Sequence, residues 1–309
     1  MKIHLHKNAT TTPAQRAFIQ NNPHLSIAFL AEKTGVSKTT VRRWRNRSSI
    51  YDRPHTPKKV NTALTPQEEV QLILCRMATR AGLDDLHKIA GAFLDIRCSR
   101  ASLNRCLKRY HISKLPALGH AVPFDLKDYT GTYLYYTCFH LPAFHGNSAD
   151  LQLHALMDCT FRNLHAEITP SGHEFLSRHI SRFPLRVLGI IYEEPVVLVP
   201  DDEADIYDRH TLMVESRCRA HRIPAHHLDT RYTQTLVQLK KACNSLNTAS
   251  HTSTWEFPWP SADAFSKDVA RYNKQFSLSA LRQQTPTQAM ESHYTHFPSS
   301  FRAKPRAWA

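Results

Sequence analysis

The segment from residue 25 to residue 47 constrains the fold of this chain more than any other stretch. Its apolar residues recur at helical spacing on both sides of a short turn, Thr34-Gly35-Val36-Ser37. Glycine allows the backbone conformations that tight turns need, and Ser37 is placed to cap the helix that follows. We therefore predict two short helices joined by a tight turn, which is the spacing of a helix-turn-helix.

The second predicted helix, residues 38–47, has a basic outer face. Val41 and Trp44 fall on the side that we expect to be buried. Arg and Lys on the other side can contact phosphates or pair with guanine edges in the major groove of DNA. The alternative is a helical hairpin with a solvated basic face, which would not require the cap, the glycine turn and the basic helix to coincide. The predicted DNA contacts on this helix are Lys38, Thr39, Thr40, Arg42, Arg43, Arg45 and Arg47.

The charge of the chain is concentrated in its first third. Residues 1–115 hold 21 Lys and Arg against 7 Asp and Glu, a net charge of +14, whereas residues 116–309 hold 19 of each. A basic block beside a neutral one is typical of a nucleic-acid-binding domain, because binding releases counterions from the phosphates. We therefore predict double-stranded DNA as the partner of the first third.

Composition places the protein in a broad class. With 309 residues, of which 41% are hydrophobic, two or three domains with packed cores are expected. No apolar run approaches the roughly 20 residues of a membrane helix, and the first twelve residues lack the apolar region of a secretory signal. Seven cysteines without a C-x-x-C pair argue against a disulfide framework and a zinc ribbon. We expect a cytoplasmic, nucleoid-associated protein without membrane contact.

The region after the first motif is also basic. Residues 51–64 contain two prolines together with Arg53, Lys58 and Lys59, so they form either a linker that follows the DNA backbone or a plain tether. Helices are predicted at 66–80, 84–95 and 99–110, and the last two resemble a second helix-turn-helix without a glycine turn. The predicted DNA contacts of this second module are Arg100, Arg105, Lys108 and Arg109.

Beyond residue 128 the pattern changes to one of strands and helices. Four β-rich runs and four helices indicate an α/β core with a mixed sheet. The strands are predicted at 133–141, 152–158, 163–168 and 186–193, and the helices at 172–182, 208–221, 234–246 and 261–274. The predicted division is a helix-turn-helix domain at 1–50, a linker at 51–64, a second helical module at 65–115, a linker at 116–128, the core at 129–292 and a basic tail at 293–309.

This order of elements resembles an insertion-sequence transposase with a retroviral-integrase-type core, over residues 4–292. The residues that carry the resemblance are His6-Lys7-Asn8-Ala9, Gly35-Val36-Ser37-Lys38-Thr39-Thr40-Val41-Arg42, Asp52-Arg53-Pro54, Asp158, Phe175-Leu176, Pro184, Arg271-Tyr272-Asn273, Ala280-Leu281 and Thr285-Pro286-Thr287-Gln288-Ala289-Met290. The resemblance implies a multidomain protein with all-α helix-turn-helix modules and a ribonuclease-H-like core. It also implies binding to transposon-end-like DNA by a homo-oligomer.

Members of that family hold two Mg²⁺ ions on three carboxylates. The resemblance places the three positions at Thr137, Glu193 and Lys240. A hydroxyl does not replace a bridging carboxylate, and an ammonium facing two dications costs several kcal/mol of Coulomb energy. We therefore predict that no catalytic site is intact and that the protein binds no metal or other cofactor. Such a protein could be a repressor of related elements, a host-recruited regulator or a relic.

The rival hypothesis is an active, Mg²⁺-dependent transposase that cleaves DNA and transfers strands with carboxylates at other positions. The candidate acids are Asp158, Glu167, Glu194, Asp201, Asp202 and Glu203. The discriminating feature is whether three carboxylates converge on the sheet near Thr137. A purely structural partner protein is a third hypothesis, and it leaves the basic first third unexplained.

Overall fold

The computed structural model describes residues 10–52, 62–118, 131–141, 151–198, 203–229, 232–248 and 262–304. The chain divides into two compact units, residues 1–61 and residues 62–309. Each unit has its own hydrophobic core and is described by itself. None of the helices in these ranges is long and apolar enough to cross a membrane.

The first unit consists of three short helices, α1 (Pro13–Asn21), α2 (Ile27–Thr34) and α3 (Lys38–Arg45). Each begins at a Thr or Ser whose side chain accepts a hydrogen bond from the backbone of the first turn. Gly35 ends α2 with φ 68°, a left-handed conformation that favours glycine. The two helices and the tight turn therefore lie where the sequence predicts them, although α3 ends at Arg45 and not at residue 47.

The core of the first unit is small. Ile19, Leu30, Val41 and Trp44 form it, each fully buried, with one residue from each of α1 and α2 and two from α3. Val41 and Trp44 lie one turn apart, so they fix the same face of α3 against the other two helices.

The second unit begins with three helices, α4 (Pro66–Thr79), α5 (Leu83–Phe93) and α6 (Arg100–Arg109). Thr65 and Glu68 form a capping box at the start of α4, and Ser99 caps α6. All three boundaries agree with the predicted ones to within two residues.

A mixed six-stranded sheet follows. Its strands are β1 (Thr132–Leu141), β2 (Leu151–Asp158), β3 (Leu164–Ile168), β4 (Val187–Tyr192), β5 (Val196–Val197) and β6 (Ala225–His227). The strand order is β3-β2-β1-β4-β6, with β5 paired to β1 beyond the end of β4. The pairings β1–β2 and β2–β3 are antiparallel, whereas β4 and β5 run parallel to β1, and β6 runs parallel to β4. The predicted α/β core with a mixed sheet is confirmed at this level.

Five more α-helices complete the described part of this unit. They are α7 (Gly172–Arg182), α8 (Glu203–Ala220), α9 (Thr233–Thr248), α10 (Ala262–Gln275) and α11 (Pro286–His296). Neither α11 nor β5 was predicted from the sequence, although Thr285 and Gln288 form a capping box with Pro286 at the first helical position. The predicted start of α8 is also five residues too late, because Pro200 and the acidic run after it suggested a loop.

The sheet has a helical layer on each face. One face of β1, with Tyr133, Tyr135 and Phe139, packs into a core shared with α4, α5, α6, α9 and α10. The other face, with Leu134, Tyr136 and Cys138, packs against α7, α8 and α11. Alternate residues of a strand point to opposite faces, so a central strand that is covered on both sides is apolar along its whole length.

The predicted separate module at 65–115 differs from the structure. The helices α4 to α6 share one continuous hydrophobic core with the sheet, and they belong to the same compact unit as residues 129–292. The reason is visible in α4, whose Val70, Leu72, Ile73, Leu74 and Met77 are all buried. A helix that is buried on all sides lies inside a larger core rather than on one side of a small domain.

Candidate functional site

The outer face of α3 presents basic side chains in the first unit. Lys38, Thr39, Arg42 and Arg43 are exposed, whereas Val41 and Trp44 between them are fully buried. Within the described residues, no salt bridge engages these three cations. The Arg43 guanidinium lies 5.6 Å from the ring centre of Trp44, within the range of a cation–π contact, and its side chain is exposed. This face can therefore offer several cations to an anionic partner at once.

Three other predicted contacts on α3 have roles within the unit. The Arg45 guanidinium donates to the carbonyl oxygens of Leu25, at 3.4 Å, and of Pro23. The Arg47 guanidinium covers the ring of Trp44 at 4.5 Å. The Thr40 hydroxyl is 2.9 Å from the hydroxyl of the cap residue Ser37. These side chains stabilise the turn and the core, so they are less available to DNA than the exposed group.

Arg16 is a buried residue of the first unit, 2% exposed, whose role was not predicted from the sequence. Its guanidinium donates to the Thr11 hydroxyl at 2.8 Å, the Ile50 carbonyl at 2.9 Å and the Asp52 carboxylate at 3.1 Å. It also lies 4.0 Å from the centre of the Trp44 ring. Arg16 precedes the buried Ile19 by three residues, and this helical spacing could have indicated that Arg16 lies on the buried face of α1.

In the second unit the predicted contacts on α6 separate into two groups. Arg100 forms a salt bridge with Asp84, and Arg109 forms one with Glu69, which also accepts a hydrogen bond from the Tyr110 hydroxyl at 2.9 Å. Arg105 and Lys108 are exposed, and the Arg105 guanidinium reaches the Ser102 hydroxyl at 3.2 Å. Within the described residues, Arg105 and Lys108 are therefore the exposed cations of the predicted set on α6 that no salt bridge engages, whereas Arg100 is exposed but paired with Asp84. The predicted contacts Arg53, Lys58 and Lys59 lie outside the described residues.

The sheet brings two of the three predicted catalytic positions together. The parallel register pairs Tyr136 of β1 with Tyr192 of β4, so that Thr137 and Glu193 occupy the next pair of positions. Both are buried, at 0% and 1% exposure. The hydroxyl oxygen of Thr137 has no hydrogen-bond partner within the described residues. Lys240 lies on α9, half-buried, next to Leu239 of the core on the same face of the sheet.

Protein side chains surround the Glu193 carboxylate. The Tyr135 hydroxyl donates a hydrogen bond to it. The Arg80 guanidinium lies over the Tyr135 ring, 4.8 Å from its centre, and donates to the Pro116 carbonyl. Burial and the neighbouring Glu193 carboxylate raise the pKa of both Tyr135 and Tyr232 above the usual value for tyrosine. Burial alone would lower the pKa of Arg80, but Tyr135, Tyr232 and Glu193 outweigh it and the net shift is upward.

This donor set does not fit a pair of Mg²⁺ ions. Two hard cations need several anionic oxygens, and these positions supply one carboxylate, which already accepts from Tyr135. The unpartnered Thr137 hydroxyl brings no charge, and the Arg80 guanidinium adds a positive one. Among the residues that the structure describes, no group of three or more His, Cys, Asp or Glu could hold a metal ion.

The other candidate acids have different surroundings. Asp158 ends β2, is fully buried, and accepts from the Thr132 hydroxyl and from the backbone amides of Thr160 at 2.8 Å and Phe161 at 3.1 Å. Glu167 binds Arg178 and His179, and Glu194 is exposed. Asp201 and Asp202 lie outside the described residues, and so does the side chain of Glu203.

Comparison with known proteins gives weak structural similarities. No protein-family model matches the chain, and no curated protein matches it. An intasome of simian T-cell lymphotropic virus in complex with PP2A regulatory subunit B56 gamma is 12% identical, covering 72% of this chain and 71% of that one, with a TM-score of 0.30. The Mos1 strand transfer complex is 12% identical and covers 93% of this chain and 98% of that one, with a TM-score of 0.24. A pre-cleavage Mos1 transpososome is 14% identical and covers 75% of this chain and 77% of that one, also with a TM-score of 0.24. TM-scores this low do not establish a shared fold, so function has to be inferred from the residues of this chain.

Proposed function

We propose that this protein binds double-stranded DNA through α3, with α2, the Gly35 turn and α3 acting as a helix-turn-helix. The observation that carries the proposal is the face of α3 that exposes Lys38, Arg42 and Arg43 while its opposite face is fully buried. A recognition helix needs both properties, because a rigid anchor has to hold the basic side chains in the major groove. Residues at its amino-terminal end, here Lys38 and Thr39, are the ones that contact base edges in such motifs.

We further propose that the protein is of the transposase or integrase type, with residues 129–292 forming a ribonuclease-H-like core. Support comes from the order of the elements: three antiparallel strands, a helix, a parallel strand and further helices. The same order carries the resemblance in sequence. The exposed Arg105 and Lys108 on α6 would add a second basic contact to the DNA.

The core, in this proposal, does not catalyse cleavage or strand transfer and instead serves as a surface for self-association. The replacement of two carboxylates by Thr137 and Lys240 supports it, because one remaining carboxylate does not hold two metal ions. The competing function is Mg²⁺-dependent transposition. A nicking and strand-transfer assay in Mg²⁺ and in Mn²⁺ on bound DNA separates the two, since metal-dependent cleavage would refute the non-catalytic proposal.

DNA binding is tested by gel shift on a genomic fragment library, followed by titration of a selected site at two salt concentrations. We expect Arg42→Ala/Arg43→Ala to weaken binding at least about 10-fold and to reduce the slope of log K against log salt by up to about 2, since each lost phosphate contact accounts for about 0.9. Arg182→Ala/Arg186→Ala removes two exposed arginines from the other unit and serves as the charge-matched control. Equal losses in both double variants would refute a specific role of α3.

Self-association is tested separately by light scattering after size-exclusion chromatography, with and without the selected DNA. A mass of two or more chains supports the homo-oligomer. A single chain per DNA at micromolar concentration would refute it.

A further inference from the structure

The polar cluster at Glu193 consists of the buried Tyr135 and Glu193 and the half-buried Arg80 and Tyr232, and DNA binding does not explain it. We propose that Arg80 takes over the charge-neutralising role that metal ions have at this position in related cores, and that the cluster is a structural clamp between α4 and the sheet. This inference deepens the proposal of a non-catalytic core and rests on it. It predicts a protein whose stability is independent of divalent metal.

The contacts of the cluster join separate parts of the second unit. Arg80 follows the last residue of α4, Tyr135 lies in the central strand β1, and Glu193 follows β4. The Tyr135 ring is in contact on its face with the Arg80 guanidinium, 4.8 Å from the ring centre, while its hydroxyl donates to Glu193. A cation, an aromatic face and a carboxylate are thus arranged in series across the interface between helix and sheet.

The electrostatics require a positive charge here. Glu193 is 1% exposed, and a buried carboxylate is costly unless hydrogen bonds and a nearby cation compensate it. The Tyr135 hydroxyl supplies the hydrogen bond. The Arg80 guanidinium, which lies over the Tyr135 ring, supplies a positive charge that interacts with Glu193. In a catalytic core a metal would provide that charge, and it would need room for water ligands that these packed side chains occupy.

The backbone at Arg80 is left-handed, as it also is at Arg162, Arg222 and Arg282. Arg80 has φ 50° and ψ 24°, a left-handed conformation that costs a non-glycine residue about 1 kcal/mol. Glycine is the usual residue after the end of a helix in this conformation.

The test is a double-mutant cycle on the full chain, read as the melting temperature of the second unit. We expect Arg80→Met to lower the Tm by about 5 °C or more. Adding Glu193→Gln to Arg80→Met should recover about half of this loss, because the uncompensated carboxylate is then removed. Arg80→Lys, which keeps the charge, should lose less than Arg80→Met. Arg76→Met is the control, since Arg76 is a buried arginine one turn earlier, within α4, and donates to the Ser113 carbonyl at 3.3 Å. Adding Glu193→Gln to Arg76→Met should not recover any of the melting temperature that Arg76→Met loses.

A loss in Arg80→Met that Glu193→Gln leaves unchanged would overturn the proposal. A metal titration decides the question even if Arg80→Met does not fold. Addition of Mn²⁺ should leave the Tm of the wild-type chain unchanged, and a saturable rise that Glu193→Gln abolishes would overturn the clamp in favour of a metal site. None of these readouts depends on DNA, so a failure of the DNA-binding proposal would be distinguished from a failure of this one.

Discussion

Individual buried side chains carry much of the specificity of this fold. Arg16 is the clearest case, because one guanidinium joins Thr11, Ile50 and Asp52 and packs on Trp44. Removing one partner of such a buried set leaves unsatisfied groups, whereas removing an exposed arginine does not. The first unit therefore depends on a residue that a count of surface charge would assign to the DNA interface.

Two buried histidines make stability depend on pH. Burial lowers the pKa of His154 to about 4 and that of His210 to about 3, against about 6.5 in an unfolded chain. Because the unfolded state binds more protons below pH 6.5, their contribution to stability is complete above that pH and is lost progressively as the pH falls towards 4 and 3. Asp158 acts in the opposite direction, since burial raises its pKa to about 6.

We expect His210→Phe to reduce the loss of stability on acidification. Neither ring nitrogen of His210 has a hydrogen-bond partner within the described residues, so a phenyl ring keeps its stacking on Tyr136 without losing a bond. The free energy of unfolding from urea titrations at pH 7.5 and pH 5 should differ by about 2 kcal/mol less in the variant than in the wild type. His173→Asn, at an exposed position, is the control and should leave the difference unchanged. An unaltered difference in His210→Phe would contradict the prediction.

At the level of elements, the late helices of the chain hold the sheet and the early helices together. Arg271 of α10 donates to the Ala92 carbonyl at the end of α5 and lies 4.4 Å from the ring centre of Phe93. Ser279, in the turn after α10, donates its backbone amide and its hydroxyl to the buried Asp85 of α5, with a hydroxyl distance of 2.8 Å. Arg271 is one of the residues that carry the family resemblance, and Ser279 directly precedes another, Ala280.

Asn273 of α10 completes the outer edge of β3. Its side-chain amide donates to the Leu164 carbonyl at 2.7 Å and accepts from the Leu164 amide at 2.8 Å, so it replaces a neighbouring strand. We expect Asn273→Ala to lower the free energy of unfolding by about 1–3 kcal/mol, because both backbone groups lose their partner. Faster hydrogen exchange at the Leu164 amide should accompany the loss. Lys274→Ala, at the exposed next residue, is the control, and equal effects of the two variants would contradict this role.

On the scale of the whole molecule, the division into two units predicts which fragments fold. The core of the first unit lies entirely within residues 19–44, whereas the core around α4 includes residues from β1 to α10. We expect a fragment of residues 1–61 to unfold cooperatively, although marginally at this size. A fragment of residues 62–118 should show no cooperative thermal transition by circular dichroism. Cooperative unfolding of the latter would support the independent second module that the sequence suggested.

Local signals in the sequence determined most of the secondary structure. Capping residues such as Thr12, Ser37, Thr65 and Ser99 mark helix starts, and apolar runs mark the strands, because both effects act over a few neighbouring residues. The basic face of α3 followed from the same periodicity. These features need no knowledge of the rest of the fold.

Tertiary structure alone decided which charged residues are accessible and how the helices group. Arg45 and Arg109 looked equivalent to Arg42 in sequence, but each is half-buried and bonded to a partner 20 to 40 residues away. The same holds for Arg80 and Glu193, which reach the same tyrosine of β1 from different elements. Pairing between distant residues depends on the path of the chain, and periodicity contains no information about that path. The sequence thus determined the helices, the strands and the basic block, and only the fold decided that α4 to α6 share a core with the sheet and that Arg80 and Glu193 contact the same tyrosine.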